Sequence, residues 1–357
     1  MGIIFTIVIL GVIVFLHELG HFATAKYFGM PVSEFAIGMG PRIFSVRRGE
    51  TVYSIRVLPL GGFVNIEGMQ PENFDLERFK KEKTDEIIEE LRNEKGLTEK
   101  SNEIESEEFV NEVSKRLDEN VEKELKKQEN IQKNGFFAKS PFSRFVVLIA
   151  GVMMNFISAL IALFVLLSIT GVMPIKYTAP VVGEIQADSR AKEKLKVNDR
   201  ILAVNGENVS NWVEMSEKVL KISQNYKDED VSLKILRNDK EITENVKLTY
   251  NKEAKANLLG IQVLPQKTNI NERIKMSFVM FRDYFKLTLD GVRMLVTGKV
   301  AMKEMTGPVG LPKIVGQAYG QGGFFALLVI FILISINIGI MNLLPIPALD
   351  GGRLIFV

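Results

Sequence analysis

The sequence has no cysteine and only two histidines among its 357 residues. Without cysteine there are no disulfides, and a zinc site with sulfur ligands is excluded. Charge is absent from three long stretches, 2–16, 145–172 and 324–349, although 25% of the chain is charged. A strong overall imbalance of charge is missing too. The net charge is +2 and the basic residues are dispersed rather than striped, so there is no nucleic-acid footprint. That near-neutral total conceals a split: residues 70–135 hold 20 Asp+Glu against 13 Lys+Arg, a net of −7, which leaves +9 for the remainder.

The uncharged stretches set the architecture. The first, GIIFTIVILGVIVFL, reaches the roughly 20 residues that span a bilayer once it is extended through His21 and Phe22. It lacks a basic n-region and a small-residue cleavage pattern, which excludes a signal peptide. The other two read as further membrane helices, the last of them ended or distorted by Pro345 and Pro347. Asn337 and Asn342 inside it are costly in lipid and are expected to face protein or water. The pattern predicts an α-helical polytopic membrane protein with transmembrane helices at 1–28, 140–172 and 324–357.

The connecting segments differ in kind. Residues 35–69 read as short strands broken at RRGE and LGG. Residues 71–133 read as a charged insertion of two amphipathic helices, about 72–95 and 106–133, because Phe109, Val113, Leu117, Val121 and Leu125 step by four. A solvated helical hairpin without chemistry is its plainest interpretation, with disorder the second. Residues 177–265 carry strand-like runs around one helical stretch at 211–222, with Asn205-Gly206 at a strand–turn–strand, and form a compact soluble domain. Residues 271–300 read as a basic amphipathic helix that lies in the membrane interface or packs on that domain. Lys26, Arg42, Arg47, Arg48 and Arg56 follow the first span, and Lys139 and Arg144 precede the second. This bias places the segment between them in the cytoplasm and 177–265 outside.

Both histidines fall in VFLHELGHFA, where His17-Glu18-Leu19-Gly20-His21 fits H-E-x-x-H. On a helix, positions i and i+4 face the same way, so both imidazoles can bind one Zn²⁺ at about 2.0–2.1 Å. The glutamate then stands as general base for a water whose pKa the metal lowers toward about 7. A His-Glu-His set near lipid costs several kcal/mol when nothing compensates it. A catalytic zinc needs a third protein ligand and an open position. With no histidine left and no cysteine, that ligand is Asp or Glu, and Asp350 in NLLPIPALDGG is the candidate carboxylate in the apolar part of the chain. An Asp-Gly at a helix end is also an ordinary turn. Its place at the same membrane face as His17 and His21 favours ligation.

HELGH, PLGGFVNIEGM, GVMMNF and NLLPIPALDGGRL follow one another along the chain. With these motifs the sequence resembles the site-2 protease family, in its bacterial RseP-like (RasP-like) branch of regulated intramembrane zinc metalloproteases, peptidase family M50B. The resemblance covers nearly the whole chain except 71–133. It implies an intramembrane zinc endopeptidase with Zn²⁺ as cofactor, His17, His21 and Asp350 as metal ligands, and Glu18 as catalytic base. It implies that Asn155, in the pattern Gly151-x-x-x-Asn155, faces the zinc and holds substrate or a developing oxyanion; an interhelical hydrogen bond is the other use of a membrane asparagine. Asn342, Pro345 and Pro347 are implied to position substrate. Strands around Gly61, Gly62 and Phe63 are implied to form a small membrane-associated β-sheet that captures an unwound segment by strand addition.

LKVNDRILAVNGENVSNWVEM looks like part of a PDZ domain, so the insert at 177–265 is expected to be PDZ-like, mainly β and extracytoplasmic. It is expected to filter substrates by size or to bind a peptide or protein ligand. Expected partners are single-span membrane proteins, such as anti-sigma factors or signal-peptide remnants, and membrane lipid, with no nucleic acid. The expected location is the bacterial plasma membrane, with the active site towards the cytoplasm. Two other functions fit the same residues: a catalytically silent scaffold presenting a PDZ domain, and a zinc protease cutting at the cytoplasmic membrane face. Such relatives carry a fourth membrane segment after the aspartate. This sequence stops at Val357 in an apolar run, so a chain truncated before a fourth span is expected. The insertion at 71–133 stands where the family has a short loop and is expected to bind a partner or gate access.

Overall fold

The structure, a computed structural model, describes residues 1–69, 74–96, 106–225, 230–251, 255–299, 310–347 and 349–355. It divides into two compact units, Met1–Leu163 with Met280–Val357, and Phe164–Val279.

Among the described residues, three helices are long and apolar enough to cross a membrane: α1 (Gly2–Tyr27), α4 (Pro141–Thr170) and α7 (Leu311–Leu343). The helix is the natural state of such a run, because lipid offers no partner for an open backbone group. α1 stops at Gly29, whose φ of +64° closes the last turn. α4 opens on Pro141, where a missing N–H costs nothing, with the Ser140 hydroxyl accepting from the Ser143 N–H at 3.2 Å. It closes at Gly171, φ +67°. α7 differs from the expected span. It begins at Leu311, well before Phe324, and bends at Gly323, whose φ of 57° and ψ of −140° are not helical. Lys313, Gln317 and Gln321 hid this first half from hydropathy. It forms because it packs on α1: Val315 is buried with Ile9 and Ile13, and the Tyr319 ring lies 4.6 Å from that of Phe5.

Between α1 and α4 lie β1 (Val32–Arg48) and β2 (Thr51–Ile66), two long bent strands rather than several short ones. The first half of β1 runs between the two halves of β2, so Ala36 pairs with both Ser54 and Phe63. The second half of β1 turns back on Thr51–Arg56, with Gly38 at the bend, where φ is +89° and a Cβ would lie 2.6 Å from the Leu58 carbonyl oxygen. One outer edge of this sheet is therefore Gly62–Ile66. Buried Glu34 locks it, receiving Arg42 and Arg56 at 2.7 Å and the Ser54 hydroxyl at 2.6 Å.

The charged insertion is an antiparallel pair, α2 (Leu76–Lys95) and α3 (Glu107–Asn134). Asp75 and Ser106 cap their N-termini, and Ile87, Leu91 and Phe109 form a small core between them. The expected helix positions 72 and 73, and most of the expected break at 95–102, lie outside the described residues. The base of α3 is tied to the sheet, with the Phe136 N–H donating to the Glu67 carbonyl at 2.9 Å.

In the second unit, β3 (Val182–Ile185), β4 (Arg200–Val204) and β5 (Glu207–Asn208) are followed by α5 (Trp212–Asn225). Then come β6 (Asp230–Arg237), β7 (Lys240–Lys247), β8 (Thr249–Asn251), β9 (Ala256–Leu258) and β10 (Ile261–Val263). The main sheet has the order β5-β4-β6-β7, and β10 pairs with β3. Val182, Ile201, Leu233, Ile235 and Met215 make the core. Asn205 and Gly206, with φ of 47° and 81°, turn the β4–β5 hairpin.

α6 (Ile270–Val296) forms over the segment expected to be an amphipathic helix. Its C-terminal half packs on membrane helices: Phe281 and Phe285 each lie 5.6 Å from Phe156 of α4, and the Thr288 hydroxyl donates to Asn337 of α7 at 2.5 Å. Short α8 (Asp350–Leu354) follows a turn at Pro345–Pro347, and Ala348 within that segment is not among the described residues.

Candidate metal centre

His17 and His21 lie one turn apart on α1, 7% and 5% exposed. Their Nε2 atoms are 3.2 Å apart, with ring planes at 79°. Asp350, the first residue of α8, brings Oδ2 to 2.9 Å from His17 Nε2 and 3.2 Å from His21 Nε2. Ligand atoms of all three lie within 4.8 Å of one another. Two imidazoles and a carboxylate from positions 333 and 329 residues apart thus meet at one point. That donor set, two nitrogens and one oxygen, matches a catalytic zinc with its fourth position open.

The surroundings fit a metal as well. His21 Nδ1 is 2.7 Å from the Val147 carbonyl oxygen, which accepts its N–H and leaves Nε2 with a free lone pair. His17 Nδ1 is 3.2 Å from the Asn155 side-chain nitrogen, while Asn155 Oδ1 is buried without a partner among the described residues. A half-turn of this amide places Oδ1 on the His17 Nδ1–H, giving the orphaned oxygen a donor and freeing Nε2. The Asn155 backbone carbonyl is held in turn by the hydroxyls of Ser158 at 2.8 Å and Ser335 at 2.9 Å. α4 reaches this close to α1 only through small residues. A Cβ on Gly151 would lie 2.3 Å from His21 Nε2, and one on Gly20 would lie 2.4 Å from the Ala150 carbonyl oxygen.

Glu18 does not join the triad. It opens into a cavity of about 470 Å³ that it shares with His21, Asp350, Asn65, Met69 and Arg353. The wall of this cavity is the edge Phe63–Ile66 of β2. Gly62 sits just behind Glu18, a Cβ there lying 3.6 Å from Glu18 Cγ, and Gly61 marks the bend with φ +94°. Asn342 places its side-chain nitrogen 3.5 Å from His17 Nε2. Pro345 and Pro347 shape the turn that returns Asp350 to the histidines; the Ile346 N–H donates to the Leu344 carbonyl at 2.7 Å. The structure therefore brings His17, Glu18, His21, Asp350, Asn155, Asn342 and Gly62 together, and sets Gly61, Pro345 and Pro347 one step back. The Val147 carbonyl, Ser335 and Arg353 were missed. Only Arg353 had a signal, its place three residues past the aspartate.

Comparison with known proteins gives the family. The model of peptidase family M50 matches residues 5–357. A Fusobacterium nucleatum protein assigned by name to the zinc metalloproteases is 37% identical, over 100% of this chain and 88% of its own length. The zinc metalloprotease RasP of Geobacillus kaustophilus is 32% identical over 99% of this chain and 88% of its own. The regulator of sigma-W protease RasP of Bacillus subtilis is 32% identical over 98% and 88%. A crystal structure of the PDZ domain of an SdrC-like protein from Listeria monocytogenes is 19% identical. It covers 26% of this chain and 94% of that one at a TM-score of 0.21, too low to establish a shared fold. Matched almost end to end by the family model and aligned over its full length with such relatives, the chain belongs to peptidase family M50 and is a zinc metalloprotease.

Proposed function

We propose that the chain is an intramembrane endopeptidase of site-2 type, with zinc held by His17, His21 and Asp350. The observation that carries this reading is the convergence of those three side chains beside Glu18, towards the end of a helix fit to cross a bilayer. Zinc, when bound, supplies a Lewis acid that polarises a peptide carbonyl and makes water nucleophilic near neutral pH. Glu18, open to the cavity, takes the proton of the attacking water and passes it to the departing nitrogen. Asn155, fully buried, is read as orienting His17 rather than as an oxyanion donor. Asn342, whose amide faces His17 Nε2, is the better placed donor for developing negative charge.

A peptide bond in a membrane helix is shielded, so the substrate has to unwind, and its freed backbone groups need new partners. The edge Gly62–Ile66 supplies them by strand addition along the cavity. Substrates are then single-span membrane proteins. The name of the Bacillus subtilis relative, a regulator of sigma-W protease, motivates membrane-bound regulators of sigma factors as the first class to try. The Lys/Arg bias supports an active site at the cytoplasmic face of a bacterial plasma membrane, with residues 177–265, read as a PDZ-like filter or peptide-binding domain, outside.

The test is cleavage of a membrane-embedded reporter by the purified protein in bilayers. Glu18→Gln is expected to abolish cleavage and retain zinc, whereas Asp350→Ala is expected to lose zinc. Persistent cleavage by Glu18→Gln rejects the mechanism, and undiminished zinc in Asp350→Ala rejects the ligand set.

A further inference from the structure

Arg353 lines the same cavity as Glu18, His21 and Asp350, three residues along α8 from Asp350. Its backbone is closely packed on the N-terminal side. A Cβ on Gly351 would lie 2.4 Å from the Leu344 carbonyl oxygen, and one on Gly352 would lie 2.3 Å from that of Ile346. Leu354, on the next position, packs against the buried cluster that includes Ile66 and Leu148. α8 thus fits closely against the preceding turn and presents Arg353 from a fixed base.

The guanidinium nonetheless has no ion pair among the described residues. Asp350 spends Oδ2 on the two imidazoles, and Arg353 Nη1 rests 3.1 Å from the sulfur of Met69. A thioether is a weak acceptor for a group with five donors and a permanent charge. The edge of β2 leads from Glu18, beside Gly62, towards Met69, where Arg353 stands. A strand added to that edge passes Glu18 and reaches the guanidinium within a few residues.

We propose that Arg353 is a specificity-determining residue that binds a substrate carboxylate close to the scissile bond, by a planar pair of hydrogen bonds. This rests on the peptidase reading above. The carboxylate belongs either to an Asp or Glu side chain or to a free C-terminus left by an earlier cut.

The test uses the zinc-loaded full chain in bilayers and reporters carrying Asp, Asn or Lys, scanned through about four positions on each side of the cleaved bond. A second pair of reporters ends, at the same distance, in a free carboxylate or a carboxamide. Wild type is expected to favour one acidic reporter, internal or terminal, by about tenfold in kcat/KM. Which of the two is favoured identifies the source. Arg353→Gln should cleave acidic and neutral reporters alike, and Arg353→Glu should favour the Lys reporter. A wild-type preference retained by Arg353→Gln, or no acidic preference in wild type, overturns the proposal. Should Arg353→Gln be inert, absence of Lys preference in Arg353→Glu overturns it. Glu18→Gln, run in parallel, reports separately on the peptidase reading: cleavage there defeats that reading, whatever the charge preference.

Discussion

Gly151 has no functional group, yet the proposed metal centre depends on it. A methyl group at this position would stand 2.3 Å from His21 Nε2 and 2.8 Å from His17 Nε2. Neither ring can step aside, because Val147 holds one by its Nδ1 and Asn155 the other. Gly151→Ala is therefore expected to lower zinc affinity by about 10- to 100-fold, as lost ligand orientation does elsewhere, while the protein still inserts in the membrane. Zinc titration against a chelator measures it; wild-type affinity would mean that α4 can withdraw freely. The contrast with the histidines explains what sequence reading can reach. His17, Glu18 and His21 stand out because their types and spacing have few other uses, and Asp350 because it is a carboxylate in an apolar run. A backbone carbonyl such as that of Val147, or a close approach such as that of Gly151, leaves no mark in residue type.

The long hairpin of β1 and β2 poses a question of electrostatics. Burial alone would raise the Glu34 carboxyl, but hydrogen bonds from Arg42, Ser54 and Arg56 outweigh it and hold the group at about 2, below its ordinary 4.5. A carboxyl whose folded pKa is depressed stabilises the fold fully above its unfolded value and loses that contribution as protons bind. The hairpin should keep constant protection against proteolysis from neutral pH down to 4.5, then lose it progressively towards about 2. The part of this loss due to Glu34 is the difference from Glu34→Gln, which should be weaker at neutral pH and flatter below 4.5. Parallel acid profiles for the two proteins would contradict the assignment. Helices were the more legible elements, since apolar runs and four-residue steps mark them directly. The first half of α7 was not, because packing on Ile9 and Ile13, rather than hydropathy, makes it a helix. The packing of α6 was not legible for a related reason: Phe281 and Phe285 find their partner in Phe156, far away in sequence.

The charged arm at 76–134 enters and leaves the membrane unit at nearly one point. A Cβ on Gly68 would lie 3.2 Å from the Gly135 Cα. The arm carries its own small core and its own interhelical pair, Arg116 with Glu94 at 3.0 Å. It can therefore be removed without stretching what remains. Phe136, just past its end, is different: it is 3% exposed, in a cluster with Ala25, Val147 and Leu148. That cluster supports both the turn below His21 and the carbonyl that orients its ring. Replacing 71–133 by a short Gly/Ser linker should leave zinc content and reporter cleavage within about twofold of wild type, because the arm touches Glu67 and Gly68, just past β2, rather than His17, His21 or Asp350. Phe136→Ala should cost about 3 kcal/mol or more of stability and weaken zinc binding, although it removes far less of the chain. Zinc stoichiometry and cleavage measured on both variants decide the matter. Cleavage lost in the arm deletion with zinc retained would make the arm a gate or a partner site, and zinc lost in both would make it part of the metal centre's scaffold.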